Sequence, residues 1–440
     1  MKRLLFRYFP LALLIVVFAG IVVHAPLTVY AGTLFPSLAV PLKAWKEVLI
    51  VIAAMLLAIR LYQIGEWRKF LSDRLLWIIG AYWLLHVVAL LWTEASTQSI
   101  VAGLLIDLRY TLFAVSIYAF ITLYPEYRRL FVKVAVVGAC VVVGFAMLQL
   151  VLPKDILSHI GYSHETIEPY LTVDKNPDYV RINSTMRGPN SLGAYAVIAI
   201  AGVVAYGMYY SRSITLKTHK LLNLFLAVGA FIALWVSYSR SAVIAAAVAV
   251  GIVALRKQWL KISAKVGATL VGVVAVLSLG MYVIRDTAFV HNVILHDDPT
   301  TGAMTTSNDA HASSLLAGLT RMFHEPFGGG IGSTGSASLL GDEPSIVENQ
   351  YLMIAHEVGW LGLALFGVIF TMLLVRIWRL NGWLAQAVFA SGIGLALIGL
   401  LLPVWADDTV SLVWWGLAGL VIAKGESHER TTNKKAKRTT

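Results

Sequence analysis

A single cysteine, Cys140, is all that 440 residues hold, so no disulfide can close within the chain and no cysteine-based zinc cluster can form. Charge is scarce too. Asp, Glu, Lys and Arg make up 13% of the residues against 58% hydrophobic ones, too few to coat a soluble surface. No polar segment is long enough for a separate soluble domain, and there is no internal repeat or low-complexity run. What the chain has instead is a succession of apolar runs. Each approaches the roughly 20 residues that a helix needs to cross hydrocarbon, where backbone groups cannot be hydrated.

These runs predict an all-α integral membrane fold of about 12 transmembrane helices. The expected spans are near 8–25, 40–63, 75–92, 101–122, 131–152, 188–210, 221–237, 241–255, 264–284, 349–374, 383–402 and 406–423. The basic start, Met1 to Arg7, leads into the first run without a clear small-residue cleavage site, so it reads as a spanning helix rather than a signal peptide. With the N-terminus inside, alternate connections carry the Lys and Arg, as cytoplasmic loops should. They are Arg60 to Arg74, Arg128 to Lys133, Arg212 to Lys220, Arg256 to Lys265, Arg376 with Arg379, and the tail. Residues 1–424 form one polytopic domain and 425–440 a basic cytoplasmic tail, with both termini cytoplasmic. This pattern accounts for most of the net charge of +11 as topology, which removes the reason to invoke nucleic acid.

Two outer connections are long: about 153–187, and 285–348 between the ninth and tenth helices. Loops of this length are usually functional or disordered, and these read as a lid or binding region. The charges that topology leaves over gather at outer helix ends. Lys46 and Glu47 begin the second span, Asp107 and Arg109 lie a turn or two into the fourth, and Arg181 and Arg187 precede the sixth. Arg240 sits between the seventh and eighth, Glu348 opens the tenth, and Asp407 and Asp408 open the twelfth. Singly, each is also what a snorkelling interfacial charge looks like. Together, four outer arginines run against the usual depletion and imply an anionic ligand.

Around these charges lie short motifs. In Arg181 to Tyr195, Gly188-Pro-Asn190 reads as a helix start with Pro near the first position and Asn or Ser as cap. Its free N–H groups, with Arg187 beside them, suit a phosphate. Ser237-Tyr-Ser-Arg-Ser241 makes a tight corner. Glu325 to Gly335 contains a literal G-x-G-x-x-G, but no strand-turn-helix unit surrounds it, so it reads as backbone that bends sharply or admits a ligand closely. From Glu348 to Gly362 a helix begins, in which Gly359 and Gly362 would let a neighbouring helix approach and His356 reads as a buried, hydrogen-bonded histidine. The outer residues His291, His296, Asp297, Asp298, Asp309, His311 and His324 fit no zinc spacing, so no metal is expected.

In this order, Arg181 to Tyr195, Ser237 to Arg240, Pro326 to Gly332, and Glu348-Asn-Gln-Tyr-Leu through Glu357-x-Gly359-x-x-Gly362 resemble the O-antigen ligase and O-antigen polymerase superfamily. The resemblance runs from the second helix to the twelfth. It implies a metal- and cofactor-independent glycosyltransferase in the bacterial cytoplasmic (inner) membrane. Such an enzyme moves glycan from an undecaprenyl-pyrophosphate carrier to a glycan or glycolipid acceptor at the extracytoplasmic face. Arg109, Arg187 and Arg240, with Lys46 and Arg181, would then hold pyrophosphate. Glu348 stands where ligases carry a histidine and would serve as base, which looks more like the polymerases. Asp407 or Asp408 matches the family's acidic position near the last helix and would orient the base or a sugar. The alternative from another class is a transporter or flippase of lipid-linked saccharide, whose site belongs near the bilayer midplane.

Overall fold

The computed structural model describes residues 2–173, 176–210, 217–258 and 307–423. The expected span at 264–284, the first part of the long loop with His291, His296, Asp297 and Asp298, and the tail lie outside the described residues. The chain is mostly helical. In order run α1 (Lys2–Gly20), α2 (His24–Leu34), α3 (Ala39–Lys43), α4 (Trp45–Gln63), α5 (Trp67–Leu71), α6 (Arg74–Ala89), α7 (Thr97–Leu123) and α8 (Arg128–Gln149). A two-stranded hairpin follows, β1 (Leu171–Val173) and β2 (Asn176–Arg181). Then come α9 (Pro189–Tyr210), α10 (Lys217–Val236), α11 (Arg240–Gln258), α12 (Ser307–His324), α13 (Gly335–Ser338), α14 (Gln350–Trp378), α15 (Trp383–Ile398) and α16 (Asp408–Ile422).

Among the described residues, six helical stretches are long and apolar enough to cross a membrane: Phe6–Leu34, Thr97–Leu123, Pro125–Gln149, Pro189–Tyr210, His219–Val236 and Gln350–Trp378. Of these, Phe6–Leu34 corrects the expected span at 8–25. It continues through a 3-10 turn at Ile21–Val23 into α2. The other expected spans within the described residues each overlap helix, that at 40–63 taking in both α3 and α4, and four helix starts are set by capping. Asp73, Ser96, Asn349 and Asp407 each accept a backbone N–H in the first turn of α6, α7, α14 and α16. Because Ser96 starts α7 at Thr97, Asp107 and Arg109 lie 10 and 12 residues in, about 15–18 Å along the axis, deeper than the expected turn or two.

Every residue of α16 is buried. A helix that is apolar all round has no solvent face, and α16 forms the bundle axis, packed against α7, α9, α14 and α15. Around its start, Trp405, Trp414, Trp415, Phe366 and Phe370 form one aromatic cluster, with Trp405 and Trp414 centroids 5.1 Å apart. Each such pair contributes about 0.5–1.5 kcal/mol beyond area burial.

The connection at 399–407 joins α15 to α16 level with the start of the 29-residue α14, at the end that the Lys and Arg pattern assigns outside, called outer below. Gln350 and Asn349 dock α14 onto it, the Gln350 N–H donating to the Gly399 carbonyl at 2.8 Å. The Trp405 N–H donates to Gln350 Oε1 at 2.7 Å, and Asn349 Nδ2 donates to the Leu400 carbonyl at 2.8 Å.

Candidate functional site at the outer end

The glycine run is part of this outer end, and its shape follows from its lack of side chains. Gly328, Gly330, Gly332 and Gly335 all have positive φ, which L side chains rarely adopt. What approaches them closely is the protein itself. A Cβ on Gly332 would lie 2.3 Å from the Ser99 carbonyl oxygen. Opposite, α14 breaks at Val358 and Gly359, and the opened backbone groups pair with the run. Gly329 N–H donates to the His356 carbonyl at 2.7 Å, Gly330 N–H to that of Glu357 at 3.1 Å, and Trp360 N–H to that of Pro326 at 3.0 Å. Gly359 (φ 69°) thus admits the Pro326–Phe327 backbone rather than the neighbouring helix expected of it. His356 is buried and its Nε2 meets the Gly318 carbonyl at 2.8 Å, as expected.

Lys46, Arg109 and Asp408 come together in a buried network. Lys46 Nζ lies 3.1 Å from Glu47 Oε1 and 3.4 Å from Asp408 Oδ2, and Arg109 reaches Glu47 at 3.3 Å and pairs directly with Asp408. Trp45 Nε1 donates to His24 Nδ1 at 3.0 Å. Its Nε2 sits 3.0 Å from Asp408 Oδ2 and 3.3 Å from Lys46 Nζ. Lys46 and Arg109 thus meet two carboxylates around His24, with all five side chains buried. Lys46 and Arg109 have their charge answered within the fold, so their geometry suits holding Asp408 and the start of α16 rather than touching pyrophosphate.

Of the remaining sequence-predicted residues, Arg181 and Asp407 are both tied to the start of α9. Arg181, at the end of β2, donates from Nε to the Ser237 carbonyl at 2.9 Å and from Nη2 to Asn190 Oδ1 at 2.7 Å. It thereby ties the hairpin to the corner that carries Arg240 and to the start of α9. Pro189 opens α9 as expected, but Asn190 and Ser191 do not cap it. Asn190 accepts from Arg181, and Ser191 Oγ donates to Asp407 Oδ2 at 2.5 Å. Asp407 in turn caps α16, through its Oδ1, at the end of the 399–407 connection, and Glu348, partly buried, precedes Asn349, the cap of α14 that bonds to that same connection. Arg187 is exposed and makes no hydrogen bond or ion pair among the described residues. The starts of α9, α11, α14 and α16 all converge here, each bringing the positive end of its dipole.

No protein-family model matches the chain, and a comparison with curated proteins finds no match. The functional reading therefore rests on the residues and their arrangement.

Two features of this end went unmarked in the sequence. Tyr238, in the Ser237–Ser241 corner, has φ 49°, rare for a residue with a side chain, and its ring lies 6.3 Å from that of Tyr179 on β2. Deeper, His86 of α6, Asp107 of α7 and Glu357 of α14 converge, with His86 Nε2 3.8 Å from Asp107 Oδ2. Glu357 faces Asp107, and its backbone carbonyl, which accepts from the Gly330 N–H, fastens the glycine run to α14. Among the described residues, no group of three or more His, Cys, Asp or Glu is arranged to hold a metal ion.

Proposed function

We propose that the protein is a glycosyltransferase that moves or polymerises glycan carried on undecaprenyl pyrophosphate, acting at the outer end of the bundle. The observation that carries this reading is that Arg181 ties the start of α9, next to Arg187, to the corner that carries Arg240, with Asp407 bonded to Ser191 at the same helix start. A pyrophosphate leaving group needs cations whose contact strengthens as charge builds on the departing oxygen. Arg187 offers an exposed guanidinium next to a helix start, and a bidentate fork there matches a phosphate.

In this reading the acceptor hydroxyl oxygen attacks the anomeric carbon of the donor glycan. The bond from that carbon to pyrophosphate breaks, the electron pair leaves with undecaprenyl pyrophosphate, and the hydroxyl proton passes to the Glu348 carboxylate. Asp407, held by Ser191, orients the base or a sugar. Tyr179 and Tyr238 border Arg181 and offer aromatic faces to sugar rings. Asp408 serves as a positioning residue, since the buried network below occupies it. The acid in place of a ligase histidine favours glycan as acceptor, hence polymerisation.

Binding of an undecaprenyl-pyrophosphate oligosaccharide to the purified chain tests the arginine assignment. Arg187→Ala and Arg240→Ala should each weaken it about tenfold or more, the effect of one charge-assisted hydrogen bond. Unchanged binding in both variants would remove the basis of the assignment.

A further inference from the structure

Away from the outer end, the bundle holds a half-open cavity of about 480 Å³ between α8, α9, α10, α15 and α16. Its walls are almost wholly apolar, including Ala139, Ala199, Leu226, Val388 and Val413. Protein interiors are otherwise packed as densely as organic crystals, and a cavity of this size falls in the 300–1,000 Å³ range of small-molecule sites. Water would find too few polar partners along these walls. Gly202 of α9 faces the open space, for a Cβ there would meet nothing within 4 Å.

The cavity has a direction. Along α9 its lining runs from Tyr195 to Tyr206, about 16 Å at 1.5 Å per residue, which is close to one leaflet of a roughly 30 Å hydrocarbon layer. At the Tyr206 end the lining turns polar: Lys133, His219, Asn223 and Trp383 gather there, with Tyr206 Oη 3.4 Å from His219 Nδ1. This is the end that the excess of Lys and Arg assigns to the cytoplasm. Cationic and aromatic groups over an apolar slot one leaflet deep match a phospholipid, its phosphate at the rim and a chain inside.

We propose that this cavity is a binding site for an anionic phospholipid of the cytoplasmic leaflet, with Lys133 and His219 at its headgroup and one acyl chain along Gly202. The site is separate from the outer-end residues and does not depend on the transfer reaction.

Native mass spectrometry of the full chain in a phospholipid-free detergent, with phosphatidylglycerol or phosphatidylcholine added back, tests it. The wild type should retain about one phosphatidylglycerol per chain in preference to phosphatidylcholine. Gly202→Trp, which fills the slot, should lower that retention about tenfold or more, and Lys133→Glu, at an exposed position, should erase the preference by a similar factor. Equal retention by wild type and Gly202→Trp would overturn the proposal, as would a headgroup preference indifferent to Lys133→Glu, or retention of a polyisoprenoid instead of a phospholipid. Should Gly202→Trp not fold, the Lys133→Glu comparison decides alone.

Discussion

Removing the Asp408 carboxylate is the perturbation whose cost the structure defines best. Asp408 answers Arg109, Lys46 at 3.4 Å and His24 at 3.0 Å, all within a buried network. Each close ion pair gains about 4 kcal/mol at an effective dielectric of about 20, most of it offset by the desolvation of both charges. Asp408→Asn keeps the desolvation and loses the attraction, leaving two cations with one carboxylate, Glu47. Breaking a buried pair in this way costs about 3–5 kcal/mol, whereas replacing both partners by apolar groups is often neutral. The double variant Arg109→Leu/Asp408→Leu leaves Lys46 paired with Glu47 and should recover most of the loss. Reversible unfolding in mixed micelles, run as a double-mutant cycle, reads the coupling directly. If the single variants cost under about 1 kcal/mol, or the double variant equals their sum, Asp408 does not hold the network as described.

Other consequences are open to simpler assays. Gly332→Ala, at φ 76° with the Ser99 carbonyl 2.3 Å from the new Cβ, should destabilise by more than about 1 kcal/mol, read as a lower thermal midpoint, while an equal midpoint would contradict the docked glycine run. At the opposite end, burial works against ionisation of Asp73, but Arg376 and the Leu75 N–H hold its carboxyl below the ordinary aspartate value. Its contribution is therefore complete above the unfolded aspartate pKa and lost as pH falls through the lowered one. Asp73→Asn should flatten that acid limb, and an unchanged limb would count against the pairing. In the outer loop, the hydrogen bond to Glu168 raises His164 above its ordinary value. The pairing is present below the unfolded histidine pKa and fades as pH rises through the raised one. Glu168→Gln should move the His164 NMR titration midpoint down.

The helices were readable because a membrane imposes one rule on every span, and α9, α14 and α16 start within two residues of the apolar pattern's limits. The irregular parts were not. The glycine run looked like a flexible loop or a ligand cradle because a sequence does not say what approaches a bare backbone, and here it is the break in α14. Lys46 and Arg109 stood out as outer cations, yet Asp408, which both meet, lies on another helix. Glu47, next to Lys46 in the chain, was visible, but only folding brings Asp408 within 3.4 Å of Lys46. His24 carried no signal, since a lone histidine in an apolar run does not announce a tryptophan 21 residues on. The Arg181, Arg187 and Arg240 segments were marked by arginines on the side where the charge rule disfavours them.

The central claim is tested most directly by incubating the purified chain with undecaprenyl-pyrophosphate oligosaccharide and resolving the lipid-linked products by length, for wild type and Glu348→Gln. The account predicts longer lipid-linked chains with wild type and at least about a hundredfold slower elongation with Glu348→Gln, the loss expected of a general base. Neither elongation nor transfer to an added acceptor by the wild type, or an equal rate in the variant, would contradict it.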